Sequence, residues 1–268
     1  MTSADERSQH RSDRFARSMN RVSGFFLLIL LLCLWEASAR LHWVESANWP
    51  PISNVVAALG RGLWAGELLE VSLSTLYVTL VGFGVGVILA LIVGILMASV
   101  RSIDYLLEPL VELCRPIPIS AIVPPLILLL GIDNKLKIFV VAFATFFPVL
   151  VNTVYGVKTV SPTMLEVART FQRRRSATLL RVVLPASLPY ISAGMRVALA
   201  LALIVTIVAE MIAGSSGLGY YLLVTQYAMR AQEMYAAILL LAVIGYALNA
   251  LFVWFERRLL PWFHIEAS

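Results

Sequence analysis

Long apolar stretches separated by short polar ones run through the whole chain, and several approach or exceed the roughly 20 residues that carry a helix across hydrocarbon. The pattern predicts six helices, at about 24–40, 70–99, 105–130, 136–157, 187–213 and 234–256. No segment shows the roughly 10-residue alternation of a membrane barrel strand. The expected fold class is therefore all-α, a polytopic membrane helical bundle. One transmembrane domain spans residues 24–263, between a basic tail (1–23) that reads as disordered and a short tail (264–268).

Composition agrees: 60% of residues are hydrophobic, only 14% are charged, and mean hydropathy is +0.85. The net charge of +5 is explained by membrane orientation rather than by nucleic acid. With the spans as placed, one side receives Arg7, Arg11, Arg14, Arg17, Arg21, Arg101, Lys158, Arg169, Arg173, Arg174, Arg175, Arg181, Arg257 and Arg258. The other receives only Arg40, Arg61, Lys135, Lys137 and Arg230. The positive-inside rule then puts both termini, and the loop 158–185, in the cytoplasm. The apolar run Phe25–Trp35 followed by Ala37-Ser38-Ala39 also resembles a secretory leader. The polar lead of roughly 23 residues is long for such a leader, so a retained span is the preferred reading. Cys33 and Cys114 share no metal-ligand spacing, and His10, His42 and His264 are dispersed; no metal site is expected.

Several spans carry irregular chemistry. Gly82 and Gly86 lie one turn apart and permit close helix approach. Arg115-Pro116-Ile117-Pro118 and then Pro124-Pro125 are expected to break the third span twice, since proline has no N–H and clashes with the preceding turn. With an intramembrane arginine beside them, Pro116 and Pro118 are candidates for a pathway or domain-packing role; a plain kink is the other reading. Glu210, near the outer end of the fifth span, must face protein, water or a cation. Gly214-Ser215-Ser216-Gly217-Leu218-Gly219 follows, an outer turn or a short re-entrant segment. Arg115, Pro116, Pro118, Glu210, Gly217 and Gly219 form the candidate translocation pathway or gate. The loop Leu41–Glu70 holds Trp43, Trp49 and Trp64, which suit the headgroup level, and Asn54–Leu63 can form a surface helix.

The longest internal polar segment is Lys158–Pro185, with Arg169, Arg173, Arg174, Arg175 and Arg181. Thr163-Met164-Leu165-Glu166 fits a capping box, and Ser161-Pro162 offers a second possible start. Met164, Leu165, Ala168 and Phe171 recur at helical spacing on one side. A second short helix is expected from about Ser176, with Pro185 and Pro189 bounding the return into the membrane. Two short helices joined by Gln172 and three arginines make a compact knob. On these grounds alone it is either an elbow resting on headgroups or a docking element for a cytoplasmic partner.

Glu166-Val167-Ala168, with Gln172, Val182, Leu184 and Pro185 downstream, resembles the EAA loop of ATP-binding-cassette importer permeases, the inner-membrane components of binding-protein-dependent transport systems. Glu166, Ala168 and Leu184-Pro185 match that pattern; Val167 replaces an alanine, and Gln172 replaces a glycine. If that glycine supports a left-handed turn, glutamine there costs of order 1 kcal/mol. Arg115–Pro118, Pro148–Gly156, Pro185–Pro189, Gly194-Met195-Arg196, Ala209-Glu210, Gly217-Leu218-Gly219 and Arg257–Trp262 resemble the nitrate/sulfonate/taurine branch.

The resemblance implies a type I importer: two copies of this permease, two cytoplasmic ATPases and an extracytoplasmic solute-binding protein in the bacterial inner membrane. It implies that Thr163–Pro185 supplies a coupling helix, with Glu166, Val167, Ala168, Phe171, Gln172, Arg173, Leu184 and Pro185 as contact residues. No GxxxxGK[ST] loop is present in the chain, so this permease is expected to be no enzyme and to bind no cofactor, with ATP and Mg held by the partner ATPase. The implied solutes are sulfonates, taurine, nitrate or similar anions, with pyrimidine-type precursors or aromatic acids as alternatives. Arg115 and Arg196 would suit an anion, although arginines also pair structurally. The rival reading is an ion- or proton-coupled secondary transporter or channel. That would want several intramembrane acids, and Glu210 is the one deep in the later spans.

Overall fold

The structure is a computed structural model, and it describes residues 26–43, 46, 48–172 and 174–260. The two predicted tails and Arg173 lie outside the described residues. The described chain is helical throughout: α1 (26–40), α2 (Ile52–Trp64), α3 (Glu67–Ser99), α4 (Arg101–Cys114), α5 (Ile119–Leu130), α6 (Asn134–Lys158), α7 (Pro162–Thr170), α8 (Arg175–Thr178), α9 (Leu184–Ala213), α10 (Leu218–Tyr227) and α11 (Ala231–Leu259).

Four continuous helices are long and apolar enough to cross a bilayer: α3, α6, the 38-residue run Ser176–Ala213, and α11. The third predicted span is two helices, α4 and α5, bent by 98° at Arg115–Pro118. Pro116 and Pro118 remove two donors within three residues, so the ladder fails there. The second expected break does not occur. Pro124 and Pro125 lie inside α5, whose buried Val123 packs with Val140 and Ala202 of α6 and α9. Neighbouring helices can hold a proline-containing apolar helix in shape where water could not.

The core is the triad α3–α6–α9. Val78, Val140, Val141 and Val205 fill one end, and Val87, Ala90, Leu150 and Ala198 the other. The α3–α6 contact is close because Gly86 has no side chain: a Cβ there would overlap Thr145 Oγ1 and lie 2.6 Å from the Ala142 carbonyl oxygen. Gly82, one turn earlier, meets Val141 in the same way, which is the close approach its spacing predicts. Between the helices, Thr79 Oγ1 donates to Thr206 Oγ1 at 3.0 Å, so both buried hydroxyls are satisfied.

At one end of the bundle α2 lies between α1 and α11. Trp49 stacks on Trp35 at 5.3 Å and meets Tyr235 edge-on, while its indole N–H donates to Ser38 Oγ. Trp64 and Trp43 remain exposed, as interfacial tryptophans would be. At the opposite end Lys158 Nζ pairs with Asp104 Oδ2 at 2.5 Å, tying the end of α6 to the start of α4.

Candidate functional site

The loop between α6 and α9 folds as a knob, though not by the expected cap. Its helix starts at Pro162, the second of the two predicted starts, with Ser161 in the cap position and no side-chain capping bond. Proline suits this position because its missing N–H would have been unpaired anyway. Thr163 is therefore inside the helix and cannot cap it. The predicted apolar side also divides. Ala168 is buried and Leu165 half-buried, whereas Met164, Val167 and Phe171 are exposed, Phe171 to 75%. Glu166 is exposed beside them. At Gln172 the backbone turns left-handed, with φ +49°, and its N–H donates to the Arg169 carbonyl at 2.8 Å. Gln172 thus occupies the helix-terminating position that favours glycine.

The return into the bundle is also different from expectation. No second helix stands apart: α8 continues through a π turn, Leu179–Val183, directly into α9. In that turn Leu184 N–H reaches back to the Leu179 carbonyl, one residue further than an α-helix would allow. The wider turn lets Pro185 enter without stopping the helix, and Leu184 and Pro185 lie half-buried at its exit. Between α7 and this segment is a mainly apolar groove of about 480 Å³, lined by Met164, Val167, Ala168, Phe171, Ala177 and Val182 among others.

At the far end of α9 the structure brings together Glu210, Gly217 and Gly219. Glu210 is fully buried, and the turn after α9 folds back over it. Thr75 Oγ1 of α3 donates to the carboxylate at 3.0 Å, and Gly219 N–H donates to Oε2 at 2.9 Å. Leu218 N–H in turn donates to Thr75 Oγ1 at 2.8 Å. Gly217 (φ +101°) must be glycine on two counts, since a Cβ would also overlap the Glu210 carboxylate. Lys137 of α6, itself 1% exposed, lies within electrostatic reach of Glu210 but makes no ion pair with it among the described residues. The sequence reading placed Lys137 at the outer edge, on the side opposite the arginine-rich loop. Its register was the missed signal: Lys137, Val140, Val141 and Ala144 share one face, and all four are buried.

The other pathway candidates lie elsewhere. Arg115, Pro116 and Pro118 form the α4–α5 break, which borders a cavity of about 400 Å³ against the middle of α6 and α9. They do not line the Glu210 cluster. Arg196 is a structural arginine: it pairs with Glu256 of α11, which also accepts from Ser192 Oγ.

Comparison with known proteins gives this arrangement its class. The family of binding-protein-dependent transport system inner membrane components matches residues 86–264, and the chain belongs to it. It is thus the membrane permease component of such a system, and not an enzyme. Among its relatives, the putative aliphatic sulfonates transport permease SsuC of Escherichia coli (strain K12) is 31% identical over 251 residues, covering 92% of this chain and 95% of that protein. The riboflavin transport system permease RibX of Chloroflexus aurantiacus is 32% identical over 241 residues, covering 90% and 89%. In fold, the chain is similar to a solved chain of the MetNI methionine ABC transporter in an inward-facing conformation. The TM-score is 0.64 at 18% identity, covering 74% of this chain and 98% of that one.

Proposed function

We propose that the chain is the permease subunit of an ATP-driven importer that passes a small organic anion, an alkanesulfonate or taurine, into the cytoplasm. The anion is delivered by an extracytoplasmic binding protein, and two copies of the permease work with two ATPase subunits that hold ATP and Mg. Both termini and the knob face the cytoplasm. The observation that carries this reading is the exposed face of α7: Met164, Val167 and Phe171 project from an otherwise polar loop. A surface of this kind, with an apolar groove beside it, suits a protein partner. The unbroken helix from Ser176 to Ala213 would carry motion from that partner into the membrane.

The sulfonate relative supports the solute class, and the riboflavin relative is the comparison to beat. Co-expression with the ATPase and binding-protein subunits, followed by uptake of radiolabelled taurine into vesicles, tests the proposal. ATP-dependent uptake is expected, unaffected by a protonophore, and Phe171→Ala should weaken ATPase co-purification. Uptake abolished by the protonophore while ATP persists would favour an ion-coupled carrier instead. Uptake of riboflavin but not taurine would overturn the solute class alone.

A further inference from the structure

We infer that the cavity at the α4–α5 break is a solute site of the permease itself, in which Arg115 takes the head group of a sulfonate anion. The inference rests on the importer reading above and deepens it, by giving the membrane subunit its own anion-recognition step.

The break delivers the charge. The prolines end α4 at Cys114, and Arg115, exposed in the last helical turn with its N–H on the Val111 carbonyl, borders a cavity lined from residues 143–152 of α6 and 197–201 of α9. Those positions lie around the midpoints of both helices. A guanidinium at that depth is costly unless it meets a counter-charge or a polar cavity. The two intramembrane arginines are resolved differently. Arg196 is engaged by Glu256, whereas Arg115 makes no ion pair and no side-chain hydrogen bond among the described residues. A sulfonate oxygen pair fits the planar fork of a guanidinium, giving two parallel charge-assisted bonds.

The rest of the cavity suits the remainder of such a molecule. Phe143 and Phe147 lie edge-to-face, with centroids 5.0 Å apart, and give it an apolar wall with Leu201. Asn152 supplies a polar atom on the facing side. Its Nδ2 is committed to the Pro148 carbonyl at 2.8 Å, which leaves Oδ1 as an acceptor for an amino or hydroxyl group. Gly194 sets that geometry, since a Cβ there would lie 2.7 Å from Asn152 Cβ and 2.9 Å from the Pro148 oxygen. At about 400 Å³ the cavity is at the small end of the ligand-pocket range of roughly 300–1,000 Å³.

The test uses the assembled importer in proteoliposomes, with taurine and ethanesulfonate as probes. Arg115→Gln should lower uptake about a hundredfold or more, the loss expected for a pair of charge-assisted bonds, and Arg115→Lys should fall between. A second measurement does not depend on an Arg115 variant folding. With Cys33 and Cys114 replaced by alanine and Leu201→Cys introduced, saturating taurine should slow alkylation by N-ethylmaleimide. Uptake by Arg115→Gln equal to the parent, or alkylation unchanged by taurine, would overturn the site while leaving the importer reading intact. Absence of any sulfonate uptake by the parent would overturn both this inference and the solute class.

Discussion

Gln172 holds a backbone conformation that most side chains avoid, at the point where α7 stops. Replacing it with glycine removes the steric conflict but adds flexibility to the unfolded chain, so the two effects oppose. The left-handed penalty of roughly 1–2 kcal/mol is the larger, and Gln172→Gly is predicted to stabilise the knob by about 0.5–1 kcal/mol. Thermal unfolding in detergent checks this; a lower midpoint would show that the glutamine side chain makes a contribution of its own. At the other end of α9, Glu210 and Lys137 are predicted to behave as one unit. Glu210→Ala strands the Gly219 N–H and takes one acceptor from the Thr75 hydroxyl, which keeps the Val71 carbonyl, a loss of about 1–3 kcal/mol. Lys137→Met should cost less when combined with Glu210→Gln than alone, because neither variant then leaves a lone buried charge. Additive effects in that double-mutant cycle would count against the coupling.

At the scale of elements, the close seam between α3 and α6 makes a prediction with an internal control. Gly86→Ala must push Thr145 and the Ala142 carbonyl away and is predicted to destabilise by about 1–3 kcal/mol. Gly84→Ala, on the same helix where a Cβ meets nothing within 4 Å, should be neutral or better. Equal effects at the two sites, read from the same unfolding experiment, would refute the seam. The seam was legible in the sequence, because small residues one turn apart state the approach distance directly. So was the break at Arg115–Pro118, which needs only the lost donors of two prolines. What was not legible depended on partners. Pro124-Pro125 looked like a second break because a sequence cannot show that α6 and α9 hold α5 in place. Pro185 looked like a helix boundary because a π turn leaves no local signature. Lys137 was read as an interfacial lysine because charge outweighed register, although the 137–140–141–144 face was there to be seen. Glu210 as a buried acid was anticipated, but its donors from α3 and the glycine turn are long-range contacts.

For the whole molecule, the bundle is thin, with one well-buried triad and large apolar surfaces left on α1, α5 and α11. Leu128 and Leu129 are 88% and 78% exposed, and they need lipid or another helix against them. This suits a subunit that completes its structure in a membrane assembly. Within it, the unbroken run Ser176–Ala213 reaches from the knob to the Glu210 turn. At 1.5 Å per residue that rod is about 57 Å long, so a tilt of about 5° pivoting at the knob would swing its far end by about 5 Å. A lever of that length converts a displacement smaller than one helical turn at the pivot into a movement comparable to a small solute at its tip. The π turn sits beside the pivot, where any bend is multiplied by nearly the full length of the rod and so takes most from the stroke. Any stiffening or loosening of that turn should therefore alter how much work reaches the Glu210 turn, rather than whether the subunit folds.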